Sequence, residues 1–121
     1  MDEGAWDYNA GTDGILRFRC VNDAQSGATT WLSVERSGQS PTSANFNLNV
    51  LPKDDATQNL GSASARWANI YSADLQLSNE GGANDVDGTW GQYTIQEGEE
   101  DLFLINRRSG KKYKFMLQEV Q

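Results

Sequence analysis

Apolar and polar positions alternate with a period of two through several short runs, and that period predicts β-strands. Over residues 15–21, Leu16, Phe18 and Cys20 share one face while Arg17 and Arg19 take the other. A second strand is expected at 30–36, carrying Trp31, Leu32 and Val34 and ended by Ser37 and Gly38. A third is expected at 45–51, where Phe46, Leu48 and Val50 alternate with Asn45, Asn47 and Asn49 until Pro52 stops the run. The polar cluster 22–27 predicts a turn, and the Gly- and Asp-rich lead-in over 1–13 predicts irregular chain with one short strand around 6–8. Three such strands make a thin meander, and its single apolar face needs something to cover it.

The middle of the chain changes period. Ala63, Trp67, Ile70 and Tyr71 stand at i, i+4, i+7 and i+8, which predicts one short helical turn over 63–68, with Ser62 or Ser64 as cap. From Ile70 to Leu77 alternation returns and predicts an extended segment. Residues 78–84, rich in Gly, Asn and Ser, read as a linker. Beyond them strands are expected at 93–97, 102–107 and 112–120, joined by turns at 98–101 and 108–111. The pattern therefore divides the chain into an N-terminal meander module (1–58), a central segment (59–79) and a C-terminal three-stranded meander (80–121). Leu102, Phe103, Leu104 and Ile105 are apolar on both faces of one strand, so one face packs within the chain and the other meets a second surface, most simply another copy.

Composition sharpens that expectation. Only 37% of the 121 residues are hydrophobic, and a core this small usually relies on oligomerisation, metal or disulfides. Cys20 is the lone cysteine, which excludes an intrachain disulfide, and it reads as a small buried hydrophobe. With no histidine, Ser-His and Cys-His nucleophile pairs and imidazole metal sites are excluded together. No cofactor is expected.

Charge is uneven. Residues 1–101 carry a net −11 and residues 102–121 a net +4, so nucleic acid is not expected as the main partner. The first residues are acidic where a secretion signal would be basic, and the longest apolar run, 102–105, is far too short to span a bilayer. A soluble protein made in the cytoplasm, with no membrane insertion, is expected.

Four groups invite a chemical reading. Glu97, Glu99, Glu100 and Asp101 cluster as carboxylates but fall on a turn, where a solvated loop is the simpler expectation than glycoside hydrolysis. These acids and the basic residues 107–114 flank opposite ends of one strand, which makes them candidates for pairing between copies. Residues 84–88, Asn-Asp-Val-Asp-Gly, resemble the start of a calcium loop without the later glutamate, so a metal-free turn is expected. Trp6, Trp31, Trp67 and Trp90, with Tyr8, Tyr71, Tyr93 and Tyr113, read mostly as buried anchors. Trp90, set among glycines, is the tryptophan expected to be partly exposed. Candidate receptor contacts are Trp90, Arg107, Arg108, Lys111 and Lys112.

Residues 59–71, Asn-Leu-Gly-Ser-Ala-Ser-Ala-Arg-Trp-Ala-Asn-Ile-Tyr, resemble the Leu-Gly-Ser-x-Ser-x-Arg-Trp-x-x-Ile-Tyr element of bacteriophage tail-fibre proteins. The runs at 21–24 and 29–32 and the region 97–120 are also similar to fibre sequences. The resemblance implies an all-β, intertwined homotrimer on the virion tail, contacting other tail proteins and a bacterial surface glycan or outer-membrane protein. The self-cleaving chaperone domain that follows this element in many fibres is not carried over. Leu60, Trp67, Ile70, Tyr71, Leu75, Leu77, Phe103 and Ile105 are then expected at the trimer interface. The rival expectations are a monomeric carbohydrate-binding β domain and a fragment of a polysaccharide depolymerase.

Overall fold

A computed structural model describes residues 5–121; the first four residues of the lead-in expected over 1–13, and the side chains of Trp6 and Tyr8, lie outside what it describes. Among the described residues the protein is all-β with no helix. The chain divides into two compact units, Met1–Leu60 and Gly61–Gln121. Each holds one four-stranded antiparallel meander, with strand order β1-β2-β3-β4 in the first and β5-β6-β7-β8 in the second.

In the first unit β1 is Ala5–Ala10, β2 Leu16–Val21, β3 Ala28–Ser37 and β4 Ser40–Phe46. Asn22 shapes the β2–β3 turn, its Oδ1 accepting from the backbone N–H groups of Ser26 and Gly27 at 2.9 and 3.2 Å. Between β3 and β4 the partners Ser37 and Ser40 leave a two-residue turn, and Gly38 supplies its left-handed φ of 58°. That turn fixes the β4 register. Leu32 faces Phe46, and the strand ends there, so the strand expected at 45–51 is displaced to Ser40–Phe46, and Leu48, Val50 and Leu51 follow it as exposed irregular chain. Turn geometry overrode side-chain alternation in setting register.

Paired residues of an antiparallel sheet share a face. Leu16, Val34 and Ala44 form one apolar row, and Phe18, Leu32 and Phe46 the next. A bulge beside Arg19 brings the Trp31 ring to 5.8 Å from that of Phe18. Cys20 follows on β2 and is exposed, contrary to the buried position expected, because it pairs with polar Thr29 near the end of the strand, beyond the apolar rows.

The opposite face is polar. Arg19 clamps Asp7 with both Nε and Nη2, at 2.8 and 2.5 Å, and Asn45 donates to Glu35 at 3.1 Å. Asp13 accepts two hydrogen bonds from Arg17 and one from the Ile15 N–H, which lower its pKa from 3.8 to about 2. A carboxylate depressed in the folded state stabilises above its unfolded pKa and loses that contribution as pH falls through the folded value. The first unit should therefore weaken between pH 3.8 and about 2, and Asp13→Asn should make the denaturant midpoint less pH-dependent across that window.

The second unit opens with irregular chain before β5 (Leu75–Ser78), β6 (Gln92–Glu97), β7 (Leu102–Asn106) and β8 (Lys112–Lys114). The helical turn expected at 63–68 is absent. Instead Ser62 and Ala65 exchange backbone hydrogen bonds at 2.9 and 3.3 Å, and Ser62 Oγ also accepts from the Ala65 N–H at 3.0 Å. The serine that would cap a helix closes a tight local loop on itself, entered through Gly61 at φ 86°. The extended segment expected at 70–77 is regular strand only at Leu75–Ser78, and it joins the C-terminal sheet as its first strand. The last strand, expected over 112–120, is regular only over Lys112–Lys114.

Candidate functional site: an open apolar face and a cationic hairpin

Register sorts the second sheet into two unlike faces. Leu75, Ile95, Leu104 and Tyr113 form a row across all four strands, flanked by Leu77 beside Tyr93. On the other face lie Gln76, Thr94, Ile105 and Lys112, then Gln96, Phe103 and Lys114. The residues expected together at a trimer interface are thus divided. Leu75 and Leu77 belong to the face whose centre is apolar, with Asn106 and Glu97 at its margins, whereas Phe103 and Ile105 lie on the opposite, mixed one, because adjacent strand positions alternate sides.

The apolar face is open. Leu75 is 51% exposed, Leu77 46% and Tyr113 47%, while Tyr93, Ile95 and Leu104 are half-buried. Leu60, Trp67, Ile70 and Tyr71 also stand exposed, Trp67 at 63% and Tyr71 at 95%. Val21 is the one hydrophobic side chain buried among the described residues. The chain exposes 10,889 Å², whereas two separate globules of half its mass would together expose about 7,800 Å². Tyr93, Ile95, Leu104 and Tyr113 were not singled out as interface residues. Tyr93 and Ile95 carry the same alternation as Leu75 and Leu77, but only the register shows that Leu104 and Tyr113 share that face.

The mixed face carries a built polar chain. Thr94 is fully buried; its Oγ1 donates to Gln76 Oε1 at 2.6 Å and accepts from Arg107 Nε at 2.9 Å. Arg107 is held again by its backbone N–H, which donates to Gln92 O at 2.8 Å. Replacing Thr94 by isosteric valine removes both side-chain bonds while Gln76 and Arg107 regain water. The expected cost is about 1 kcal/mol, read as an unfolding midpoint lowered by roughly 4–8 °C.

At the β7–β8 turn Asn106 Oδ1 accepts from the N–H groups of Arg108 and Ser109 at 3.0 and 3.1 Å, and Gly110 takes a φ of 73°. Arg108 lies 3.8 Å above the Trp90 ring centroid and donates to Trp90 O at 2.9 Å. Two of the candidate receptor residues, Arg108 and half-buried Trp90, are therefore engaged with each other. Lys111 and Lys112 are exposed beside them.

The other candidate groups are structural in their bonding. Asp87 Oδ1 accepts from Asn84 Nδ2, the Thr89 N–H and Thr89 Oγ1 at 2.6, 3.0 and 2.7 Å, and these donors hold its carboxyl below the usual range. Among the described residues no group of three or more His, Cys, Asp or Glu side chains is placed to hold a metal. Glu97, Glu99 and Glu100 are exposed on the turn that the Gly98 N–H closes onto Asp101 O at 2.7 Å. Asp101 pairs with Lys114 of its own chain at 3.2 Å, so this member of the expected acid–base set has an intrachain partner.

No helix among the described residues is long and apolar enough to cross a membrane. No protein-family model, curated protein or solved structure matches the chain.

Proposed function

We propose that this protein is a structural and adhesive, non-enzymatic component of a bacteriophage tail fibre, acting as an intertwined homotrimer on the virion. One observation carries the reading: each unit is a four-stranded sheet whose apolar face is at most half-buried by its own residues, with Phe46 in the first and Leu75, Leu77 and Tyr113 in the second standing exposed. A lone amphipathic sheet does not exclude water from that face, and a second layer supplied by further copies does. The fibre-like element at 59–71 supports a stoichiometry of three, and its exposed Leu60, Trp67, Ile70 and Tyr71 are the side chains that copies would bury against one another. Its partners are then itself, neighbouring tail proteins, and a glycan or outer-membrane protein of the host surface.

Gold-labelled antibody raised against the chain should decorate the tail fibres of particles from cells carrying this gene. Particles with intact tails and no label on them would refute the assignment.

A further inference from the structure

We infer that the β7–β8 hairpin is the adhesive site and that its ligand is an acidic surface glycan, a sugar chain bearing spaced carboxylate or phosphate groups. This rests on the fibre reading above and names the ligand class it leaves open.

Arg107, Arg108, Lys111 and Lys112 fall within six positions. The chain holds 17 acidic residues, yet the ion pairs of the described residues join Arg17 to Asp13, Arg19 to Asp7 and Lys114 to Asp101, and none includes these four cations. Cations left without carboxylates in so acidic a chain remain available to an outside anion.

The hairpin is also organised in advance. Asn106 Oδ1 bonds two successive backbone N–H groups of the turn, and the Asn106 side chain is itself held by Tyr93 Oη at 3.1 Å. Arg107 spends Nε on buried Thr94, and its two terminal nitrogens have no partner among the described residues. A guanidinium fixed at one nitrogen presents the remaining fork to a carboxylate or phosphate with little further loss of side-chain freedom. Arg108 is likewise fixed over Trp90, with Nη1 on its carbonyl.

Charge selects among anions. The whole chain is −7; without the four hairpin cations the remainder is −11, so a densely charged polymer such as duplex nucleic acid is repelled wherever it extends past the tip. A glycan with no more than one carboxylate or phosphate per sugar carries its charge more sparsely than a duplex, which has one charge per about 1.7 Å, so it meets the cations at the tip with less repulsion beyond it.

The test uses the full chain, with its assembly state checked by light scattering, and measures binding to immobilised polygalacturonate, phosphomannan, neutral dextran, duplex DNA and phosphatidylglycerol vesicles. Binding to polygalacturonate or phosphomannan, and not to dextran, is expected; which of the two binds tells carboxylate from phosphate recognition. The triple variant Arg107→Gln/Lys111→Gln/Lys112→Gln should weaken that binding by at least about tenfold at unchanged mass, and added salt should weaken the wild type. Lys53→Gln should bind as the wild type does. The inference is overturned if the assembled protein ignores both acidic glycans, if the triple variant binds them equally, or if DNA or vesicles bind more tightly. It is also overturned if the triple variant dissociates the assembly, since the cations then hold neighbouring copies. A monomeric wild type that still binds acidic glycan through these residues would remove the fibre reading and leave the site standing.

Discussion

The Leu75→Asp/Leu77→Asp double variant is expected to yield no assembled protein. Both side chains lie on the side of the second sheet that carries the apolar row, beside Ile95 and Tyr93. If copies bury that face, each trimer must take up six carboxylates with no cation opposite them, at a cost of several kcal/mol per charge. In a chain that stays single, the same positions are already 51% and 46% exposed, and such changes usually cost within about 1 kcal/mol. The two accounts therefore differ by far more than experimental error. Sedimentation velocity reads the difference directly: loss of the assembled species supports the interface, and an unaltered profile removes it.

Trp67→Ala is expected to have the next largest effect. The indole lies against Gly61 and is otherwise 63% exposed, so truncation costs an isolated chain little. Burial between copies changes that, because deleting a buried tryptophan costs about 3–5 kcal/mol. The assembly should then dissociate at concentrations where the wild type holds, with polygalacturonate binding by the hairpin retained. Intact assembly with lost glycan binding would place Trp67 at the adhesive site and contradict the division of labour argued above.

How much of this was legible in the sequence follows from which physical rule decided each element. Local alternation placed β2 and β3, where Leu16 and Phe18, then Leu32 and Val34, repeat every second residue, while the turns on either side bounded β6 and the two-faced apolar run of β7. It misplaced β4, where the two-residue Gly38 turn fixed the register and left Leu48 and Val50 outside the sheet. The helical spacing of Ala63, Trp67 and Ile70 was real in the sequence but was outcompeted by the paired bonds of Ser62 and Ala65. Periods report what a segment favours alone, and turns and hydroxyl side chains decide against it within a few residues.

The candidate site was legible in part. Leu75 and Leu77 were visible as apolar alternators, but the separation of Phe103 and Ile105 onto the other face needed the β6–β7 register. The basic turn was visible as charge. That Arg107 leans on a fully buried Thr94, and that Arg108 covers Trp90, was not, because these contacts join residues 13 and 18 positions apart. A threonine among alternating residues carries no mark of burial; only the neighbouring strands supply it.

The central claim is that the open apolar faces are closed by two further copies. Size-exclusion chromatography with multi-angle light scattering on the full chain at micromolar concentration tests it most directly. A homotrimer of the 13.4 kDa chain predicts a single species of about 40 kDa. A mass of 13.4 kDa, or the mass of two chains, would contradict it.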